Sequence, residues 1–185
     1  MRVRAILLAA GLVAASPAQA IHDTAIEDAL GFCVTDAFTL VEAIITYREG
    51  IEVAVRDIGP QPGQVADTRV VEAVQAATQA GVNRMLDALG SCMEPVAGRL
   101  APNPAAYTQA QAIEAELEFA RDEIDGLREA LDAALELVLV KWGANATAPA
   151  TRLLSSYFTF ASDLGEEIAL FMDDVKVITD ATRPR

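Results

Sequence analysis

The longest pattern in this sequence is a heptad repeat of apolar positions near the N-terminal end. Steps of four and three alternate without a break through Ile26, Leu30, Cys33, Ala37, Leu40, Ile44, Tyr47, Ile51, Ala54 and Ile58. A half-buried strand would alternate every second residue, so this spacing predicts one long helix packed against partner helices. Four further apolar residues flank this stripe and are predicted to widen it: Phe38, Val41, Ile45 and Val55.

Similar spacing predicts three more helices. The second starts after Asp67 or Thr68 and ends near Val96, and its apolar positions are Val70, Val71, Val74, Ala77, Val82, Met85, Leu89, Cys92 and Val96. The third covers about 104–142 on Ile113, Leu117, Ala120, Ile124, Leu127, Leu131, Ala134 and Val138. The fourth carries Tyr157, Ala161, Leu164, Ile168, Phe171, Val175 and Ile178.

Segments rich in Pro and Gly separate these helices, and Gly143, Asn145 and Pro149 are predicted to end the third. Short connections between long helices favour antiparallel neighbours. The sequence therefore predicts an all-α fold, an antiparallel up-down-up-down four-helix bundle with coiled-coil-like packing. It forms a single domain over residues 21–185.

The two cysteines test this arrangement independently. In an antiparallel helix pair, the midpoint of two residues at one level falls at the turn, and the midpoint of Cys33 and Cys92 falls between residues 62 and 63. Residues 59–63 read Gly-Pro-Gln-Pro-Gly, which is a turn. Both cysteines also lie on the apolar stripes, so we predict a Cys33–Cys92 disulfide in an oxidising compartment.

Residues 1–20 have the form of a cleaved signal peptide. Arg2 and Arg4 precede a short apolar run, and Ala18 and Ala20 have the spacing of a signal-peptidase site. No cysteine follows that would accept a lipid anchor, and no later segment has eighteen uncharged apolar residues. We therefore expect a periplasmic protein with no transmembrane segment.

Charge and composition exclude several functions. The formal net charge is −13, and an acidic surface of this size repels nucleic acid and anionic lipid. The single histidine, His22, precedes the first helix, so the core has no histidine base, haem ligand or zinc ligand. No glycine-rich phosphate loop is present. We expect no catalytic residues, no metal and no cofactor, and hence a protein that is not an enzyme.

An acidic edge runs along the third predicted helix. Seven carboxylates repeat at steps of four and three: Glu114, Glu118, Asp122, Asp125, Glu129, Asp132 and Glu136. Like charges at these spacings weaken a helix slightly. The edge would serve as a docking surface for a basic partner, as a weak calcium-binding strip, or simply as the solvated face of an acidic protein.

A short motif in the second predicted helix carries a family resemblance. The run Ala80-Gly81-Val82-Asn83-Arg84-Met85-Leu86 resembles the helical periplasmic sensor domains of pilus chemotaxis transducers (PilJ-type) and nitrate sensor kinases (NarX-type). The resemblance implies that Arg84 contacts an anion at a dimer interface. Two features depart from the family. A polar run usually follows the motif, where this chain has Asp87-Ala88-Leu89, and the motif usually lies on the first helix.

These observations favour a non-enzymatic binding module that interacts with another envelope protein. The alternative is a periplasmic sensor of a small anion that uses Arg84. Four phenylalanines also suggest a homodimer, because Phe32, Phe38, Phe158 and Phe160 cannot all face the core of one bundle.

Overall fold

Four long helices form the described part of the chain. The computed structural model describes residues 24–57, 69–146 and 148–185. Helix α1 is Thr24–Asp57, α2 is Arg69–Met93, α3 is Pro104–Ala146 and α4 is Ala148–Thr182, with a short 3₁₀ turn at Glu94–Val96. No strand occurs in these ranges. The predicted signal peptide, the turn at 59–63 and the possible caps Asp67 and Thr68 lie outside the described residues.

Consecutive helices run in opposite directions, which confirms the predicted up-down-up-down bundle. The closest packing joins α3 with α4, α1 with α3, and α1 with α2. Helices α1 and α3 are therefore neighbours that run parallel. The link between α2 and α3 crosses one end of the bundle, so these two helices follow each other in sequence without packing side by side.

The predicted apolar stripes of α1, α3 and α4 form the core wherever the structure describes their side chains. Eight predicted stripe or flanking residues lie outside the described side chains: Ala54, Val55, Ile58, Val70, Val71, Val74, Ala134 and Val138. On α1, every stripe residue from Ile26 to Ile51 is at most 2% exposed. On α3, the stripe residues from Ile113 to Leu131 are at most 1% exposed. On α4 all stripe residues are buried except Phe171, which is half-buried. Burial of this kind contributes about 1.5–3 kcal/mol for each large aliphatic side chain.

Three details of the sequence prediction are wrong. Ala77 is exposed, because it lies on the opposite side of α2 from Gln75 and Gln79, which face α4. Phe38 is 51% exposed and does not widen the buried stripe, whereas Val41 beside it is buried. Helix α3 continues through Gly143 and Asn145 to Ala146. An interior glycine costs a helix only about 0.5–1 kcal/mol relative to alanine, which a packed helix tolerates.

Asn103 joins three helices at one end of the bundle. Its side-chain oxygen accepts hydrogen bonds from the backbone N–H groups of Ala105 and Ala106, at 3.1 and 3.2 Å, and so caps α3. Its side-chain amide donates to Glu27 Oε1 on α1 at 3.0 Å. Its backbone N–H donates to the carbonyl of Thr182 at the end of α4, at 2.9 Å.

An ion pair holds the parallel helices α1 and α3 in register. Arg48 Nη1 contacts Glu123 Oε2, and the side chains of both residues are mostly buried. Gly126 on α3 leaves room for this arginine, because a Cβ there would lie 3.2 Å from Arg48 Nη1. The register agrees with that set by Asn103 and Glu27, since both pairs are separated by about the same number of residues along the chain.

The Cys33–Cys92 disulfide is present, as predicted. The Cα atoms are 5.4 Å apart, within the range that a disulfide requires. Cys33 is fully buried in the core, and the bond joins α1 to the last turn of α2. It closes a covalent loop across a sequence separation of 59 residues.

Helix α1 is the most apolar helix of the bundle. Over Thr24–Val53 its length and mean hydropathy of 1.6 would suffice to cross a membrane. The core helix of a globular bundle meets the same criterion, and the stripe of α1 is buried here against α2 and α3. The expectation that no segment after residue 20 spans a membrane stays a prediction.

Replacing both cysteines by alanine should lower the free energy of unfolding by about 4 kcal/mol, because the unfolded chain then loses a cross-link that closes a loop of about 60 residues. Urea unfolding of the oxidised protein and of the double variant measures this difference. Native protein unfolded in reductant should match the double variant, and coincident curves for all three samples would contradict the prediction.

Candidate functional site

A groove follows the boundary between α2 and α4. These two helices run parallel and are more widely separated than the other neighbouring pairs. Side chains of the two helices contact each other at several points, of which two bound the recesses. Gln75 Nε2 donates to Ser156 Oγ at 3.1 Å, and the ring of Phe171 packs over Gly90, 3.7 Å from where a Cβ would lie. Two recesses occupy the open stretches, and together we call them the α2/α4 groove.

The first of these, the acidic recess, has a volume of about 460 Å³. Its α2 wall is Gln79, Asn83, Leu86 and Asp87, and its α4 wall is Phe160, Asp163, Leu164 and Glu167. Leu164 and Phe160 close its floor and are themselves buried, at 2% and 8% exposure, while Leu86 beside them is half-buried. The three carboxylates stand exposed along the rim.

The second, the apolar recess, lies nearer the end of the bundle that Asn103 closes and measures about 320 Å³. It is lined by Gly90, Met93, Glu94, Ala97, Leu100, Phe171, Asp174, Val177 and Ile178. Most of these side chains are apolar, and Glu94 and Asp174 stand exposed at its edges. The apolar floor of the groove therefore continues past Phe171.

The groove carries negative charge without a compensating cation. None of its five carboxylates forms an ion pair with a described residue, and no lysine or arginine lines either recess. Asp87 on α2 faces the same recess as Asp163 and Glu167 on α4. Like charges on two facing walls repel each other, which opposes closure of the boundary.

A cluster of aromatic rings lies behind the acidic recess. Tyr47 of α1 packs edge-on against Phe160, with ring centroids 5.3 Å apart, and lies 6.0 Å from the ring of Tyr157. Tyr47 is fully buried, and its hydroxyl has no hydrogen-bond partner among the described residues. Burial raises the pKa of Tyr47 and of Tyr157 far above the usual value of 10.0, because an ionised phenol would lose its hydration in the core.

Arg84 lies on the outward face of α2. Its side chain is exposed, and it is absent from the lining of both recesses, although its sequence neighbour Asn83 lines the acidic one. No ion pair joins its guanidinium to a described residue. The residue that carries the family resemblance is thus close to the groove in sequence and directed away from it.

The acidic edge predicted on α3 lies on a different side of the molecule. Glu114 is half-buried, and the other six carboxylates are exposed. Arg121 contacts Asp122 at 4.0 Å, and Arg128 pairs with Asp125 at 3.3 Å. These two arginines offset part of the charge. None of the seven carboxylates lines either of the two recesses described above.

Three aromatic side chains are exposed on α1 and α3. Phe32 is 70% exposed, Phe38 is 51% exposed and Phe119 is 49% exposed. By contrast, Phe160 is buried and Phe158 is half-buried. The four phenylalanines that raised the possibility of a homodimer therefore divide into two inside the bundle and two outside.

The described residues contain no group of three or more His, Cys, Asp or Glu side chains placed to hold a metal ion. The carboxylates of the acidic recess are therefore spread along the rim instead of converging on one point. No protein-family model, curated protein or solved structure matches this chain.

Sequence reasoning did not find the α2/α4 groove. One signal was present. The apolar spacing of the second helix is irregular, and Gln79 and Asn83 interrupt the side of it that faces α4. A polar interruption on one face of an otherwise apolar helix indicates a boundary that is not fully packed.

Replacing Tyr47 by phenylalanine should raise the free energy of unfolding by about 1 kcal/mol at neutral pH, because it removes a buried hydroxyl that has no partner. Urea unfolding measures this change. Tyr107→Phe is the matched control, since the Tyr107 hydroxyl accepts a hydrogen bond from Gln111 Nε2 at 3.1 Å. A loss of stability in Tyr47→Phe would mean that the hydroxyl makes a stabilising interaction.

The same tyrosines predict how stability depends on pH. Folding raises their pKa values, so above pH 10 the folded protein retains protons that the unfolded chain releases. Stability should therefore fall as the pH rises above 10, by up to about 1.4 kcal/mol per pH unit for each buried phenol. In Tyr47→Phe only Tyr157 remains, so the part of this decrease in the free energy of unfolding that comes from the two tyrosines should be about half as steep. Equal slopes in both proteins would contradict the assignment.

Proposed function

We propose that this protein is an exported, non-enzymatic binding module that docks onto another protein of the cell envelope. The observation that carries this proposal is the α2/α4 groove, where the partly exposed apolar side chains of Leu86, Phe171 and Val177 lie between walls whose carboxylates form no ion pair with a described residue. Apolar surface of this kind, rimmed by polar groups, is typical of contact sites. The exposed Phe32, Phe38 and Phe119 add to the apolar surface that a partner would cover.

The proposed location in the periplasm is supported by two features. The N-terminal segment has the form of a signal peptide, and the Cys33–Cys92 bond is of a kind that persists in oxidising compartments. The described residues also offer no arrangement of side chains that we recognise as catalytic. A binding role requires none.

The anion-sensor alternative has less support. A buried or partly enclosed arginine would bind an anion more strongly than a fully solvated one, because water competes with the anion and screens its charge. Arg84 is exposed and lines neither recess. A sensor would need a second copy or another protein to enclose this side chain.

Site-specific photo-cross-linking in the periplasm of living cells tests the proposed function. A photoreactive amino acid would replace one exposed residue at a time: Asn83 in the groove, Arg84 on α2, Phe32 on α1, Asp125 on α3 or Leu170 on α4. We expect at least one position to give a discrete covalent adduct with another envelope protein, identified by mass spectrometry. The five positions sample every helix, so neighbouring faces act as controls for one another.

Absence of a specific adduct at all five positions would overturn the proposal of an interaction module. An adduct with a second copy of this chain alone would replace it with a homodimer. An adduct confined to Asp125 would keep the module and move its contact surface to the acidic edge.

A further inference from the structure

We propose that the α2/α4 groove binds a basic amphipathic helix of a partner protein, which lies along it as a fifth helix of the bundle. This inference rests on the proposed function and specifies the chemistry of the partner. The occupant is defined by an apolar stripe on one face, with lysine or arginine on both sides of that stripe.

The floor of the groove requires an apolar stripe. Half-buried apolar side chains line both recesses, Leu86 in the acidic recess and Leu100 and Phe171 in the apolar one. They lie over a buried floor of Leu164, Phe160, Met93 and Ile178. Val177 at the far end is 61% exposed and would be covered by an occupant. Helices recognised in grooves of this kind present apolar residues at positions i, i+3, i+4 and i+7.

The rims require positive charge. Asp87 lies on one wall, and Asp163 and Glu167 lie on the other, while Glu94 and Asp174 continue the rim around the apolar recess. These carboxylates have no cationic partner among the described residues. A basic residue on each flank of an incoming helix would face one wall, and its charge would relieve the repulsion between the two walls.

The walls also indicate a helix as the form of the occupant. Both are helices whose backbone groups are already hydrogen-bonded internally, so neither offers a free edge to which an extended strand could add. The two recesses together span residues 160–178 of α4, a length of about 27 Å, which corresponds to a helix of about 18 residues. Because Phe171 packs over Gly90 between the recesses, such a helix would lie on the ring of Phe171.

Charge argues against a second copy of this chain as the occupant. The formal net charge is −13, so two copies repel each other, and no helix of this protein combines an exposed apolar stripe with flanking basic residues in the described ranges. The same charge disfavours an anionic lipid surface.

Binding of designed peptides to the purified, oxidised protein tests this inference. The probe is a fluorescent Leu/Lys peptide of about 18 residues that forms an amphipathic helix. One comparison peptide has Glu in place of Lys, and another has the same composition in an order that removes the apolar stripe. We expect binding, measured by fluorescence anisotropy, for the Leu/Lys helix alone.

Two triple variants with the same change in net charge locate the binding site. Asp87→Asn, Asp163→Asn and Glu167→Gln together should weaken binding by about tenfold or more, because they neutralise the rims. Asp122→Asn, Asp125→Asn and Glu129→Gln neutralise the α3 edge and should change the affinity by less than about twofold. All six residues are exposed, and thermal unfolding verifies that both variants fold.

Three results would overturn the inference: no binding of the Leu/Lys helix, equal weakening by the two triple variants, or equal binding of the peptide that lacks an apolar stripe. The second and third would indicate general attraction to an acidic protein. These failures are distinct from failure of the proposed function. A partner cross-linked at Asp125 or Phe32 in cells would keep the module while removing the groove as its site.

Discussion

Burial of the heptad stripe of α1 is the constraint on which the rest of the bundle depends. One face of this helix supplies core residues to two neighbours, α2 and α3, so both must lie against it. The disulfide holds α2 in place, and the Arg48–Glu123 pair sets the register of α3. Helix α4 then packs chiefly on α3. The three closely packed helix pairs do not include α2 with α4. The boundary between these two helices therefore stays partly open and forms the groove.

The same constraint explains the unusual composition of the groove. A fully packed helix boundary excludes unpaired charges, because burying a carboxylate without a partner in the core is costly. At the α2/α4 boundary the carboxylates remain hydrated at the rim while Leu164 and Phe160 behind them are buried. Hydrated carboxylates and apolar core side chains thus lie next to each other along the α2/α4 boundary. That combination is what a binding surface requires, since apolar contact provides affinity and fixed charge provides selectivity between partners.

The sequence was sufficient to predict the helices and their buried stripes, because both follow from the regular spacing of apolar residues. It also predicted the disulfide, because the midpoint of the two cysteines falls at the predicted turn. It did not predict which helices are neighbours. The register of α1 on α3 is marked by Arg48, which meets Glu123 beside Gly126, and three residues so far apart in sequence give no periodic signal. Phe38 was misplaced for a related reason. A residue at the edge of an apolar stripe is buried only if a neighbouring helix covers that edge.

Asn103 has a consequence for the chemical durability of the protein. Asparagine deamidates when the backbone nitrogen of the next residue attacks its side-chain amide, and the next residue here is Pro104, whose nitrogen carries no hydrogen. Pro104, which suits the first position of α3, thus also blocks the usual route of deamidation at Asn103. Conversion to aspartate would place a second carboxylate beside Glu27, where an amide now donates a hydrogen bond. The Asn103-Pro104 dipeptide that connects three helices is therefore protected against deamidation.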